Sequence, residues 1–361
     1  MGCATKNMSA KRCAKAKGCV RSETNTQAVN QIPKNQLGIV HFPHGGNEYP
    51  FRTPSRSSKN SNHSGYEVYW NCTRNHYRRL VKICRGAYID SDRRYHEIAN
   101  EELCVWTEWE SLTHADELPL SSNQFDAKFI HQPKYPVSVA GAAKDPGRYY
   151  GKGKPSDALN TDPCIFGRTF KYAICRQGHD SWMRKLAQNS LILFWSHKGD
   201  SVCLDTVFVV GKNPVDYITG STSMIKCSQE YRNLTLDRLG TGSAATFYRG
   251  ISYNKSNPPL VYSFAPAIVF RESVNCARRC ELNAKDIAQL NEVIGADRPF
   301  INVNAHRRSK SICASSDKIK SVWDTLTDIV MGKGFVLGVH FDWPKANKRG
   351  LTTKGECHEE R

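Results

Sequence analysis

The sequence predicts an α+β protein built on a mixed or barrel-like sheet, with helices packed in the C-terminal half. Two patterns carry that reading. Apolar runs of strand length recur at 37–42, 191–195, 202–210 and 335–341, bounded by Gly, Pro, Asn or charged turn residues. Near the C-terminus apolar residues fall instead at helical spacing, once after Asn283 and once after Ser316. A third observation is bulk: in 361 residues, 39% hydrophobic and 10% aromatic content can fill a sizeable core.

Residues 1–36 read as a disordered basic arm. Lys6, Lys11, Arg12, Lys15, Lys17, Arg21 and Lys34 face a single acid, Glu23, with almost no apolar periodicity. Folded structure is expected to start with a buried strand at Leu37–Phe42, ended by the turn residues Pro43-His44-Gly45-Gly46. An N-terminal α+β region spans 37–131. It holds a basic, aromatic stretch from Trp70 to Tyr95, followed by an acidic stretch to Ala127 without Lys or Arg. Residues 132–163, rich in Gly, Pro, Lys and Asp, read as a loop or linker.

The core region spans 164–344. Ile165–Cys175 is expected to be a strand and Ser181–Gln188 a short helix. Leu191–Trp195 and Val202–Val210 form a hairpin across Ser196-His197-Lys198-Gly199-Asp200. Thr246–Tyr253 and Leu260–Phe264 are two further strands. Asn283 caps a helix whose Ile287, Leu290 and Ile294 face inward, with Gly295 behind it. Ser316 caps a second helix, and Phe335–Phe341 is the last strand. The tail 345–361 reads as disordered.

Charge and cysteine usage narrow the function. Lys plus Arg number 51 against 34 acids, a formal +17, and such a field concentrates polyanions around the chain. Nucleic acid is the commonest partner of that kind, although the same excess also serves solubility. The start of the chain lacks the apolar segment of a signal peptide, and the longest apolar runs are too short to span a bilayer. The fourteen cysteines therefore read as mostly reduced thiols in the cytoplasm. No Cys-x-x-Cys pair suggests zinc, and no phosphate-binding or dinucleotide glycine motif is present, so no metal or cofactor is expected.

Several residues suit chemistry. Cys175, beside Arg176, is a candidate nucleophile, because a neighbouring cation favours the thiolate; an ordinary buried thiol is the alternative. Cys164, at the other end of the same expected strand, is the reserve. Asp205 stands in an apolar strand, where a carboxylate is expensive unless paired or used. Asp162, before Pro163, is a further acidic candidate, or a turn former. In Trp106-Thr107-Glu108-Trp109-Glu110, Glu108 lies among indole rings that would raise its proton affinity and suit a general acid. Arg74, Arg78, Arg79 and Lys82 are candidate phosphate contacts, Trp109 a stacking surface and Arg249 a further phosphate contact. His41 and His44, near Glu48, form another possible metal or acid–base site.

Two resemblances add to this. Asn189–Phe194 and Asp205–Val210, about a polar turn, resemble the central hairpin of PUA-like modules, small barrels that bind modified bases. That resemblance implies a non-enzymatic reader. Leu37–His44, Trp106–Glu110, Thr161–Pro163 through Phe166-Gly167, Leu204–Val210 and Phe247–Gly250 together resemble the C proteins of the bacterial system that places 7-deazaguanines in DNA. That resemblance runs from about residue 37 to 344. It implies hydration of the nitrile of 7-cyano-7-deazaguanine in DNA to the amide, with other proteins of the modification system as further partners. A third class, a restriction or toxin-type enzyme such as an ADP-ribosyltransferase, matches Tyr248-Arg249-Gly250 and Ser263-Phe264 but lacks a Glu-x-Glu at the proper distance.

Overall fold

The computed structural model describes residues 36–43, 66–68, 79–99, 101–109, 113–118, 127, 129–133, 162–198, 201–239, 242–271, 275–296, 299–301 and 309–344. The basic arm before residue 36, Arg74, Arg78, His44, Glu48, Glu110 and the tail lie outside them. The strands are β1 (Gly38–Pro43), β2 (Tyr66–Val68), β3 (Arg79–Ile83), β4 (Gly86–Ile89), β5 (Tyr95–Glu97), β6 (Leu103–Thr107), β7 (Thr113–Glu117), β8 (Phe129–Pro133) and β9 (Lys171–Tyr172). They continue with β10 (Leu191–Lys198), β11 (Ser201–Val209), β12 (Val215–Ile218), β13 (Ala244–Arg249), β14 (Ala265–Val269), β15 (Glu281–Leu282), β16 (Lys310–Cys313) and β17 (Val336–Phe341). The α-helices are α1 (Gln229–Leu234), α2 (Ala284–Ile294) and α3 (Ser316–Gly332).

These elements make an α+β fold on mixed sheets, and the described strands close no barrel. One sheet has nine strands in the order β2-β7-β8-β3-β6-β14-β17-β4-β5, a second has five in the order β15-β11-β10-β1-β16, and a small third is β12-β13-β9. The chain segments on either side of 132–163 share both large sheets. β1 runs parallel to β10 of the later segment, while β6 pairs with β14 and β4 with β17.

The β10–β11 hairpin shows why its sequence is almost continuously apolar: both faces are covered. Ile192, Phe194, Phe208 and Val210 enter one core with Phe166, Tyr172 and Tyr248. Leu191, Leu193, Trp195, Val207 and Val209 enter a second core, under α2 and α3. The register shifts between Phe194 and Trp195: Phe194 faces Thr206 and Trp195 faces Leu204, so Asp205 is the extra residue of a bulge. That explains a carboxylate in the middle of an apolar strand.

The helix ends follow capping chemistry. Asn283 and Asp286 form a reciprocal capping box and Gly295 takes a left-handed φ of 67°. Ser315, one residue earlier than expected, caps α3 by accepting the Lys318 amide N–H. Other boundaries moved further. The strand expected at Leu260–Phe264 forms at Ala265–Val269, after the donor-less Pro258-Pro259. The expected helix at 181–188 is a single 3-10 turn, Ser181–Lys185.

The larger correction concerns 165–175. It is not one strand with a cysteine at each end. Cys164 and Lys171 exchange backbone hydrogen bonds of 2.8 Å and close a tight loop between them. Gly167 turns that loop with a φ of +86°, and a Cβ there would stand 2.8 Å from the Trp343 indole. Only Lys171–Tyr172 is strand, and a turn over 175–179 follows.

Candidate active site

The turn after β9 is anchored from the far end of β6. β6 stops at Thr107, so Glu108 and Trp109 leave the strand and turn into the core. Glu108 Oε2 accepts the amide N–H of Asp162 at 3.1 Å. Asp162 in turn accepts three backbone N–H groups, from Ala173 at 2.9 Å on one oxygen and from Ile174 and Cys175 at 2.8 Å each on the other. The remaining groups of the turn are also taken. The Tyr172 hydroxyl donates to the Cys175 carbonyl at 2.6 Å, and the Tyr217 hydroxyl and the Gln177 amide both donate to the Ala173 carbonyl. Gln177 also exchanges two bonds with the Thr246 backbone, which ties the turn to β13.

Asp162 is completely buried. Burial is the largest influence on its carboxyl and the nearby Glu108 adds to it, while the three N–H donors oppose them. The balance raises its pKa to about 7. A buried acid of this kind can give or take a proton at neutral pH. Cys175, on the turn that Asp162 holds, is half-buried, and Arg176 beside it stands in the left-handed region with a φ of 64°. The Arg176 guanidinium is directed to Asp180 at 3.5 Å.

On the other side of Asp162 lies a second thiol with a cation. Lys171 is buried, and its Nζ donates to the carbonyls of Phe166 at 2.8 Å and Thr169 at 2.7 Å, above the rings of Tyr231 and Trp343. Burial lowers its pKa. Cys164 is fully buried, and burial pushes its thiol up to about 11 despite the nearby Lys171. Of the two cysteines, Cys175 is the less buried.

The other sequence candidates are placed elsewhere. Asp205 is buried and paired with Arg279 at 2.9 Å; Arg279 also meets the Ser196 hydroxyl and lies over the Trp106 ring. This ion pair makes Asp205 a structural charge. Trp109 is not a stacking surface: it is fully buried, edge-on to Phe166. Lys82 is paired with Glu102 at 2.9 Å, Arg79 pairs through its backbone with Thr107 in β3–β6, and Arg249 donates to the Lys226 carbonyl. His41 is buried against Trp195, and burial first, then Lys310, lowers its pKa to about 3.

Lys171, Gln177 and Tyr217 were not singled out in the sequence. Lys171 carried a usable signal, a lone cation in the apolar run Phe170–Ile174. Gln177 and Tyr217 carried none, since their role depends on a contact across the fold. Among the described residues eight cysteines form no disulfide and Cys84 is disulfide-bonded. No group of three or more His, Cys, Asp or Glu among them is placed to hold a metal, and no described helix is long and apolar enough to cross a membrane. Compared with known proteins, the chain matches no family model, no curated protein and no solved structure.

Proposed function

We propose that this protein modifies a base in DNA, hydrating the nitrile of 7-cyano-7-deazaguanine to the 7-amido form. The observation that carries the proposal is a half-buried thiol, Cys175, on a turn clamped by a buried carboxyl whose pKa is about 7. In this reading the Cys175 thiolate adds to the nitrile carbon and the nitrogen takes a proton, giving a thioimidate. Water then adds to that carbon, the C–S bond breaks, and the thiol and the amide are released. Asp162 is the proton donor and Glu108 positions it through the Asp162 amide. The +17 charge supports a polyanionic substrate.

The reader alternative is weaker, because the hairpin that resembles PUA-like modules is covered on both faces and leaves no open surface for a base. The ADP-ribosyltransferase alternative is weaker too, since the Ser263 hydroxyl is buried and hydrogen-bonded to the Val209 backbone.

The test is incubation of the full chain with DNA containing 7-cyano-7-deazaguanine, followed by mass spectrometry of the nucleosides. A gain of one water is expected. Cys175→Ser should lower the rate by several orders of magnitude, on the order of 10³ or more, while Cys203→Ser, in the core of β11, should retain it. Binding without any mass change would replace the enzyme by a reader. Full activity in Cys175→Ser would move the chemistry to carboxylate-activated water.

A further inference from the structure

A groove of about 530 Å³ lies behind the clamped turn, between the 3-10 turn Ser181–Lys185 and the β12–β13 pair. A volume of this size suits a nucleotide. Its back wall includes Tyr217 and Thr246, the residues that bond to the Cys175 turn through the Ala173 carbonyl and through Gln177. Its rim is apolar: Met224 is 57% exposed and Ile218 49% exposed, two of the few large hydrophobic side chains that the described surface leaves open.

The polar lining is specific. Asp216 is exposed, and its carboxylate is oriented by the Thr246 hydroxyl, which donates to Oδ1 at 2.6 Å. That same hydroxyl is 3.2 Å from the Arg184 carbonyl, which brings the two chain segments together. Arg184 Nε is buried without a hydrogen-bond partner, and Arg184 and Asp216 both line the groove without forming an ion pair with each other. Lys185 and Ser181 complete that wall. An oriented carboxylate and a guanidinium whose Nε has no partner, lining one groove with apolar side chains at its rim, make a mixed acceptor–donor site.

We propose that this groove is a base-edge site and that Asp216 makes it select guanine-type bases. The argument rests on hydrogen-bond complementarity. Guanine, and a 7-deazaguanine alike, presents two adjacent donors, N1–H and the 2-amino group, and one carboxylate accepts both. Adenine and cytosine place a ring-nitrogen acceptor beside their amino group, which a carboxylate repels, and thymine places carbonyls on both sides of N3–H. The Arg184 guanidinium meets the O6 acceptor, and Lys185 suits a flanking phosphate. The inference takes from the proposed function only that a nucleic-acid base is the ligand, and it deepens that reading by naming which edge is read and by which residue.

The experiment is equilibrium binding of GMP, AMP, CMP and UMP to the full chain, by calorimetry at low salt. GMP is expected to bind about 10- to 100-fold more tightly than the others, the discrimination of one bidentate pair. Asp216→Asn keeps an oxygen for the Thr246 hydroxyl but presents a donor in place of the second acceptor. It should remove the GMP preference and leave AMP binding unchanged, and unaltered thermal unfolding would show that the fold is intact. Arg184→Gln should weaken GMP without abolishing the preference. Equal binding of all four nucleotides would reduce the groove to a phosphate site and overturn the proposal. So would a GMP preference that survives in Asp216→Asn, or no binding of any nucleotide. None of these results depends on nitrile hydration, so a failed turnover assay with guanine-selective binding would reject the reaction and keep the groove.

Discussion

Asp162 and Asp205 are both buried carboxylates, and the fold treats them in opposite ways. Asp205, extruded by a bulge in β11, meets the guanidinium of Arg279, so its charge is cancelled where it lies. Asp162 has no such cation among its hydrogen-bond partners; it is held by three amide N–H groups and stands near a second carboxylate, Glu108. A buried acid paired with a guanidinium serves the architecture. One held by dipoles beside a like charge is left near its titration point, which is what acid–base chemistry requires. Buried acidity alone therefore does not mark a site; the nature of the compensation does.

The contrast breaks first if the Asp205 pair is not structural. Arg279→Leu would strand the Asp205 charge in the core and should cost about 3–5 kcal/mol of stability, measured by urea unfolding. The double variant Asp205→Leu with Arg279→Leu should recover most of that loss, because no uncompensated charge remains. If the double variant were as unstable as the single one, Arg279 would matter for its packing on Trp106 and not for charge.

The turn beside Asp162 is held by neutral hydrogen bonds, so its disruption should cost less. Gln177→Leu leaves the buried Thr246 N–H without its acceptor and takes one donor from the Ala173 carbonyl. The expected loss is about 1–3 kcal/mol. It should come with faster amide hydrogen exchange at Ala173, Ile174 and Cys175 and little change in β11. Uniform acceleration in both regions would show that the turn is not a separate clamp.

How much of this was legible in the sequence follows from the range of each signal. The hairpin, the first strand and the two C-terminal helices are encoded by local periodicity and caps, and they form within a residue or two of where 202–210, Asn283 and Ser316 place them, while the strand expected at 191–195 runs three residues further, to Lys198. Phe166, Phe170, Tyr172 and Ile174 make Ile165–Cys175 look like a strand in sequence. Phe166, Phe170 and Tyr172 are core residues of an irregular segment whose shape is set by Gly167 and by the contact to Trp343. Glu108 and Asp162 were each legible as unusual acids. Their meeting was not, since 54 residues separate them and the join is a single backbone N–H. Trp109 shows the opposite limit: an indole beside acidic residues suggests a stacking surface equally well whether it ends outside or, as here, inside.

The most gradual effect, spread over the pH axis, is also the most direct reading of Asp162 itself. Its pKa is about 7 in the fold, against an ordinary 3.8. The native state therefore keeps a proton that the unfolded chain releases above about pH 4. Below that pH both states are protonated and the contribution to stability is complete. As pH rises toward 7 the unfolded state gains its ionisation freely while the native state does not, so stability falls through this window and levels off above it. The slope owed to this one group is at most about 1.4 kcal/mol per pH unit. Asp162→Asn cannot titrate, so the difference in unfolding free energy between the two proteins should change with that sign between about pH 4 and 7. Parallel pH profiles for the two proteins, or a difference of the opposite sign, would mean that the three N–H donors win over burial. Asp162 would then be a permanently ionised clamp, and the proton for the chemistry would have to come from another group.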